Sequence, residues 1–89
     1  MFKQELTAEF EGNHFRVVNS WFGGLKLYHE EELVVHNTDL FAVNKTKPLI
    51  QYRLIINEKE RLLEVYGYAI AKVKLPIKID GEKIAGDDF

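Results

Sequence analysis

The sequence predicts an all-β domain, an antiparallel β-sandwich of seven or eight short strands joined by hairpins. Three observations carry that prediction. Apolar and polar residues alternate with period two in run after run, which sets alternate side chains on opposite faces of a strand. The runs are rich in Val, Ile, Tyr and Phe, which suit a pleated, half-buried surface. Short breaks containing Gly, Asn or Asp recur between them, as in sandwiches and barrels.

The first run extends from Phe2 to Phe10. Phe2, Gln4, Leu6, Ala8 and Phe10 share one face, and Lys3, Glu5, Thr7 and Glu9 the other. Gly12-Asn13 supplies turn chemistry, and His14 to Asn19 returns as a strand around Val17-Val18. Gly23-Gly24 breaks the chain before Leu25-Lys26-Leu27-Tyr28. Glu30-Glu31 then marks the tip of a hairpin whose second arm is Glu32 to His36. Adjacent glutamates suit a two-residue primed turn poorly, so a longer loop is expected there. A tip at Glu30-Glu31 sets His29 opposite Glu32 and His36 opposite Leu25.

Asn37-Thr38-Asp39 breaks the chain again, ahead of the short apolar run Leu40-Phe41-Ala42-Val43. Thr46-Lys47-Pro48 opens a long strand, Leu49 to Ile56. Ile50, Tyr52, Leu54 and Ile56 share one of its faces, with Gln51 and Arg53 opposite. Asn57-Glu58-Lys59 turns it into Arg61 to Tyr66. A rival helix could start here, because Asn57 and Glu60 resemble a cap with its reciprocal acid. Leu62, Tyr66, Ala69, Ile70 and Val73 also fall at helical intervals. Gly67 and the β-formers Val65, Tyr66 and Tyr68 favour strand.

In the last run Ala71, Val73, Leu75, Ile77 and Ile79 alternate with Lys72, Lys74, Pro76, Lys78 and Asp80. Asp80-Gly81 is the strongest hairpin signal in the chain, and Glu82 to Ala85 returns along it. Pro76 cannot donate to a ladder and the lysines face outward, so an edge strand, or a bulge at Pro76, is expected. Three tips resemble one another: His29 to Leu33, Asn57 to Arg61 and Asp80 to Ile84. Each is a polar, acid-rich turn followed by a returning strand. Shared hairpin physics accounts for the likeness.

No Ser/Gly linker divides the 89 residues, so 1–89 is read as one domain. A chain of this size hides only about 60–65% of its unfolded surface. Twelve Lys and Arg against fourteen Asp and Glu give a net charge of −2, which argues against a dedicated nucleic-acid binder. The absence of cysteine excludes disulfides, thiolate metal sites and a cysteine nucleophile. Met1 to Glu5 leads into no apolar signal run, and Val65 to Ala71 is far short of the ~20 residues that span a bilayer. A cytoplasmic location without membrane contact is the default expectation.

No constellation nominates a catalytic residue, metal ligand or cofactor. The single serine, Ser20, lies outside any nucleophile-elbow pattern. His14, His29 and His36 show no metal-ligand spacing. Glu30, Glu31 and Glu32 splay at a loop tip, and Asp87-Asp88 read as solvated. Gly23-Gly24 leads into a strand and not into a phosphate-binding helix N-terminus. Lys72, Lys74 and Lys78 form a basic ridge that a solvated strand explains. A minimal enzyme using His29 and glutamate at a hairpin rim is the weakest of the readings.

Aromatic residues, 12% of the chain, are the one surplus. Trp and Tyr bury much area at low entropic cost and keep a polar tip, so they are favoured at binding surfaces. Phe10, Phe15 and Phe41 are assigned to the core. Trp21, Phe22, Tyr28, Tyr52 and Tyr66 are the candidate binding residues, Tyr52 and Tyr66 as the lining of a pocket between the sheets.

Asn19-Ser20-Trp21-Phe22-Gly23-Gly24 through Tyr28, with the ending Ile79 to Phe89, resembles a family of small uncharacterised bacterial all-β proteins. The turn-flanked strands Gly23 to Val34, Tyr52 to Leu62 and Ile79 to Phe89 are similar to those in the β-sandwich domains of Fas apoptosis inhibitory molecule. In that family a tyrosine strand turns through Asp-Gly, where this chain has Glu30-Glu31. The resemblance implies a non-catalytic antiparallel sandwich and transfers no functional residue. The expected function is a non-enzymatic binding or protein-interaction module, its partner another protein or a second copy in a homodimer. A small-ligand binder with an inter-sheet pocket is the alternative.

Overall fold

A computed structural model describes residues 3–20, 24–37, 48–69 and 73–86. Alternation becomes strand throughout, and no helix occurs among these residues. β1 (Lys3–Phe10), β2 (Asn13–Ser20), β3 (Gly24–His29) and β4 (Glu32–Asn37) form sheet one in the order β1-β2-β3-β4. β5 (Pro48–Ile56), β6 (Lys59–Tyr66), β9 (Pro76–Ile79) and β10 (Glu82–Gly86) form sheet two in the order β10-β9-β6-β5. A ribbon of β7 (Tyr68–Ala69) and β8 (Val73–Lys74) stands between β6 and β9 in the chain. Every pairing is antiparallel. The predicted sandwich is the fold, and each sheet is one contiguous half of the chain.

Registers align the apolar faces. Leu6, Val17, Leu27 and Val35 form one cross-strand row of sheet one, and Ile50, Val65 and Ile77 one row of sheet two. Facing each other, these rows make the core, where Phe15, Val17, Leu27, Leu63, Val65 and Ile77 are fully buried. Each large aliphatic side chain so buried contributes about 1.5–3 kcal/mol. The sheets also meet at both margins, where Cα atoms of β1 and β10, and of β4 and β5, approach within 8 Å.

Among the described residues four hairpins are closed by two-residue turns, and both central residues of each turn have positive φ. They are Glu11-Gly12 (47°, 83°), Glu30-Glu31 (52°, 66°), Asn57-Glu58 (52°, 67°) and Asp80-Gly81 (51°, 86°). Positive φ at both positions marks the type I′ turn, whose twist matches that of paired strands. The first turn therefore lies one residue earlier than Gly12-Asn13, with Asn13 already in β2. The longer loop expected at Glu30-Glu31 is absent. Both glutamates take the left-handed conformation, which their carboxylates offset with contacts described below. The resemblance among the acid-rich tips is real at the level of turn type.

Three further expectations are corrected. The run Ala71 to Ile79 is not one strand, since β8 pairs with β7 and β9 begins at Pro76. β9 is not an edge but lies between β6 and β10. Pro76 is tolerated because it is the first residue of β9, and β6 pairs only with Ile77 to Ile79. His36 faces Lys26, not Leu25, because a bulge at Val34 shifts the register of β4 by one. The rival helix is absent, with β6 occupying 59–66. Leu40 to Val43 lie outside the described residues.

Gly86 closes β10 at φ +99°, a region that L side chains avoid. A Cβ there would collide with the Leu75 carbonyl oxygen and lie 2.8 Å from the Pro76 Cα. Gly86→Ala is therefore expected to lower the urea midpoint sharply or prevent folding; an unchanged midpoint would refute this packing. Glu58 is different, with left-handed backbone and no hydrogen bond or ion pair among the described residues. Glu58→Gly creates Asn-Gly, the preferred type I′ pair, and should gain about 0.5–1 kcal/mol in urea unfolding.

Candidate functional site

The four described two-residue turns lie at one end of the sandwich, where β1–β2, β3–β4, β5–β6 and β9–β10 reverse. Glu11 joins the sheets at this pole. Its Oε1 accepts from Asn57 Nδ2 at 3.1 Å and its Oε2 from the Arg61 guanidinium at 3.3 Å. The other arm of Arg61 donates to Asp80 Oδ2 at 2.8 Å. Arg61 thus links the first and fourth turns, and Glu11 links the first to the third. Arg61 shares the inward phase of Leu63 and Val65, and its guanidinium lies 5.5 Å from the centre of the Phe10 ring.

Acids in two of the turns also extend the ladders. Beyond the last strand pair Phe15–His29, the Glu30 N–H donates to the His14 carbonyl at 2.9 Å. The reciprocal bond from His14 N–H goes to the Glu30 carboxylate at 2.7 Å. Sheet two repeats the arrangement: Asp80 N–H donates to the Leu62 carbonyl at 2.9 Å, and Leu62 N–H to Asp80 Oδ1 at 3.0 Å. A left-handed residue does not present its carbonyl along the ladder, so the carboxylate serves as acceptor and satisfies the neighbouring strand's N–H. This is what an acid at the first turn position supplies that glycine cannot.

His29 connects the sheets beside this network. In phase with Leu25 and Leu27, it turns inward and stacks on Phe15 with ring centres 4.8 Å apart. Its Nε2 is 2.9 Å from Asn13 Oδ1 and its Nδ1 is 3.1 Å from the Tyr52 hydroxyl. Asn13 Nδ2 donates to the Glu11 carbonyl at 3.3 Å, leaving Oδ1 as acceptor. In the neutral ring Nε2 therefore carries the proton and Nδ1 accepts from Tyr52. His29 and Glu32 are Cα partners, as expected, but the imidazole's hydrogen bonds are to Asn13 and Tyr52. Nε2 is thus engaged within sheet one, and Nδ1 reaches across to sheet two.

The candidate aromatic residues do not converge. Tyr52 is half-buried on the inner face of sheet two. Tyr66 lies on the outer face of that sheet, with Lys78 Nζ 4.9 Å from its ring centre. Desolvation, with Glu64 beside it, pushes its phenol above the usual range. Tyr52 and Tyr66 thus stand on opposite faces and do not line one inter-sheet space. Tyr28 lies on the outer face of sheet one beneath the Arg16 guanidinium, 4.3 Å from its ring centre. Trp21 and Phe22 lie outside the described residues.

Around Tyr28 a row of side chains crosses the outer face in register: Thr7, Arg16, Tyr28 and Leu33. Arg16 is held from two sides, by Glu31 at 3.0 Å and Glu5 at 3.7 Å. The Glu31 hydrogen bond chiefly, with both carboxylates nearby, pushes its pKa upward. Leu33 at the end of the row is 47% exposed. Ile55, on the outer face of sheet two, is 76% exposed, but its cross-strand partner is Glu60, which pairs with Arg53 at 3.1 Å. Among the described residues the Leu33 row alone joins an exposed apolar side chain to an aromatic ring and an arginine.

Glu11, Arg16 and Arg61 were not nominated by the sequence. Arg61 carried one signal, an arginine in phase with two inward aliphatic residues. Arg16 and Glu11 carried none, since their partners depend on which turns meet at the pole. Among the described residues no group of three or more His, Asp or Glu could hold a metal ion. None of them forms a helix long and apolar enough to cross a membrane. No known family, curated protein or solved structure matches the chain.

The Arg61 hydrogen bond, and next the Leu62 N–H, hold the Asp80 carboxyl below the usual carboxylate range. A depressed folded-state value means that this stabilisation is complete above the unfolded value of about 3.9. It is lost as the pH falls through the lower folded value. Urea midpoints of the native chain and Asp80→Asn should therefore differ by a constant amount above about pH 5. Below pH 4 the native chain should lose ground relative to the variant; parallel pH profiles would refute the coupling.

Proposed function

We propose that this chain is a non-enzymatic protein-interaction module that pairs with a second copy through the outer face of sheet one. The row Arg16–Tyr28–Leu33 carries the reading. Tyr and Arg are the residue types that dominate binding energy at protein interfaces. Here the arginine is already oriented by Glu5 and Glu31, so little side-chain entropy remains to be lost on contact. Leu33 supplies apolar area beside them.

Charge on this face favours a copy of itself as the occupant. Glu5 and Glu9 lie along β1, and Lys26 lies two strands away on β3. A twofold axis along β2 in the interface plane sets β1 of one copy over β3 of the other, and so Glu5 and Glu9 towards Lys26. Such pairs at the rim direct orientation more than they add affinity.

Leu33→Glu puts a carboxylate on the exposed apolar end of the proposed contact and leaves the core untouched. The native chain should show a concentration-dependent dimer by light scattering, and Leu33→Glu should remain monomeric over the same range with an unchanged melting temperature. A native chain that is monomeric throughout, or a variant that dimerises equally well, would rule the interface out.

A further inference from the structure

We propose that two copies of the chain exchange halves, the sheet formed by residues 3–37 of one copy packing on the sheet formed by residues 48–86 of the other. This exchange uses the inner faces and is independent of association through the outer face of sheet one. It follows from how the chain is divided between the sheets. Every strand ladder lies wholly within 3–37 or wholly within 48–86. The two turn-to-strand backbone bonds, Glu30 to His14 and Asp80 to Leu62, also stay within their halves.

Among the described residues, the halves are joined by the apolar core and a few side-chain bonds. They include His29 to Tyr52, Asn57 and Arg61 to Glu11, and Asn37 Nδ2 to the Leu49 carbonyl at 2.7 Å. A half can therefore leave its partner with every ladder intact, and each of these contacts can form between chains as well as within one. Neither half can remain uncovered. Phe15, Val17 and Leu27 on one side, and Ile50, Leu63 and Ile77 on the other, would face water.

Residues 38–47 are the covalent connection between the halves. Ten residues at about 3.3–3.6 Å each can reach at most about 33–36 Å, against a longest dimension of 39 Å for the molecule. Whether a half finds its own partner or a neighbour's is then a matter of concentration. A connection of only ten residues keeps the two halves at an effective concentration of about the millimolar range. Dilute chains close on themselves, and chains folding near that concentration exchange.

The full chain, unfolded in denaturant, is refolded either dilute or at about 1 mM, and both samples are then diluted equally and analysed by size exclusion with light scattering. The expected result is a dimer from the concentrated sample alone, persisting after dilution because separation must uncover both inner faces. An outer-face dimer dissociates on dilution. Monomer from both samples, or a dimer lost at once on dilution, overturns the proposal. The absence of native cysteine allows a second readout. Glu11→Cys with Asn57→Cys places thiols on two exposed turns whose side chains meet, and a short bismaleimide joins them. Exchange gives a covalent dimer on a denaturing gel; dimers whose links all fall within single chains overturn it.

Discussion

The fold depends on one constraint: two apolar sheet faces, each made by half of the chain, must cover each other without a shared ladder. Strand ladders build each sheet, but none joins the two. Burial of Phe15, Val17 and Leu27 against Leu63, Val65 and Ile77 does that. Because this force is non-directional, something else must set how one sheet lies on the other. Directional contacts supply it, concentrated where the turns gather. Glu11 reaches from sheet one to Asn57 and Arg61, and His29 reaches Tyr52.

The same constraint accounts for the turns. A sheet face is coherent only if each register brings inward residues opposite inward residues, and a slip of one residue would turn a strand inside out. Two-residue type I′ turns specify register tightly. Their usual Gly and Asn are replaced at several positions by acids whose backbone must be left-handed. Glu30 and Asp80 offset that strain by accepting a strand N–H that would otherwise lack its partner. Glu11 and Glu31 do so through arginine. The acidic pole is thus mostly internal machinery of the fold, which turns attention to the outer faces for binding.

On those faces cations and aromatic rings are arranged in register, Arg16 over Tyr28 in sheet one and Lys78 beside Tyr66 in sheet two. Only the first row ends in an exposed leucine. The margins of the sandwich are less open than two four-stranded sheets suggest, since β1 lies beside β10 and β4 beside β5. Mutual covering of edges limits addition of a foreign strand. This is why a face, and not an edge, is the surface proposed for a partner.

Strand class, approximate strand limits, the inward sets Leu6–Ala8–Phe10 and Ile50–Tyr52–Leu54–Ile56, and three of the four hairpin tips were determined by the sequence itself. Period-two alternation and turn chemistry are local properties, legible within a few residues. What was not local was not legible. The bulge at Val34, the central place of β9, the inward turn of His29 onto Phe15 and the Glu11–Arg61–Asp80 link depend on which strands become neighbours. Alternation marks two faces of a strand but cannot say which strand lies beside it or which end of the sandwich a turn will share. Those choices were made only in the tertiary structure, where covering two apolar faces at once left one arrangement of polar side chains to close the pole.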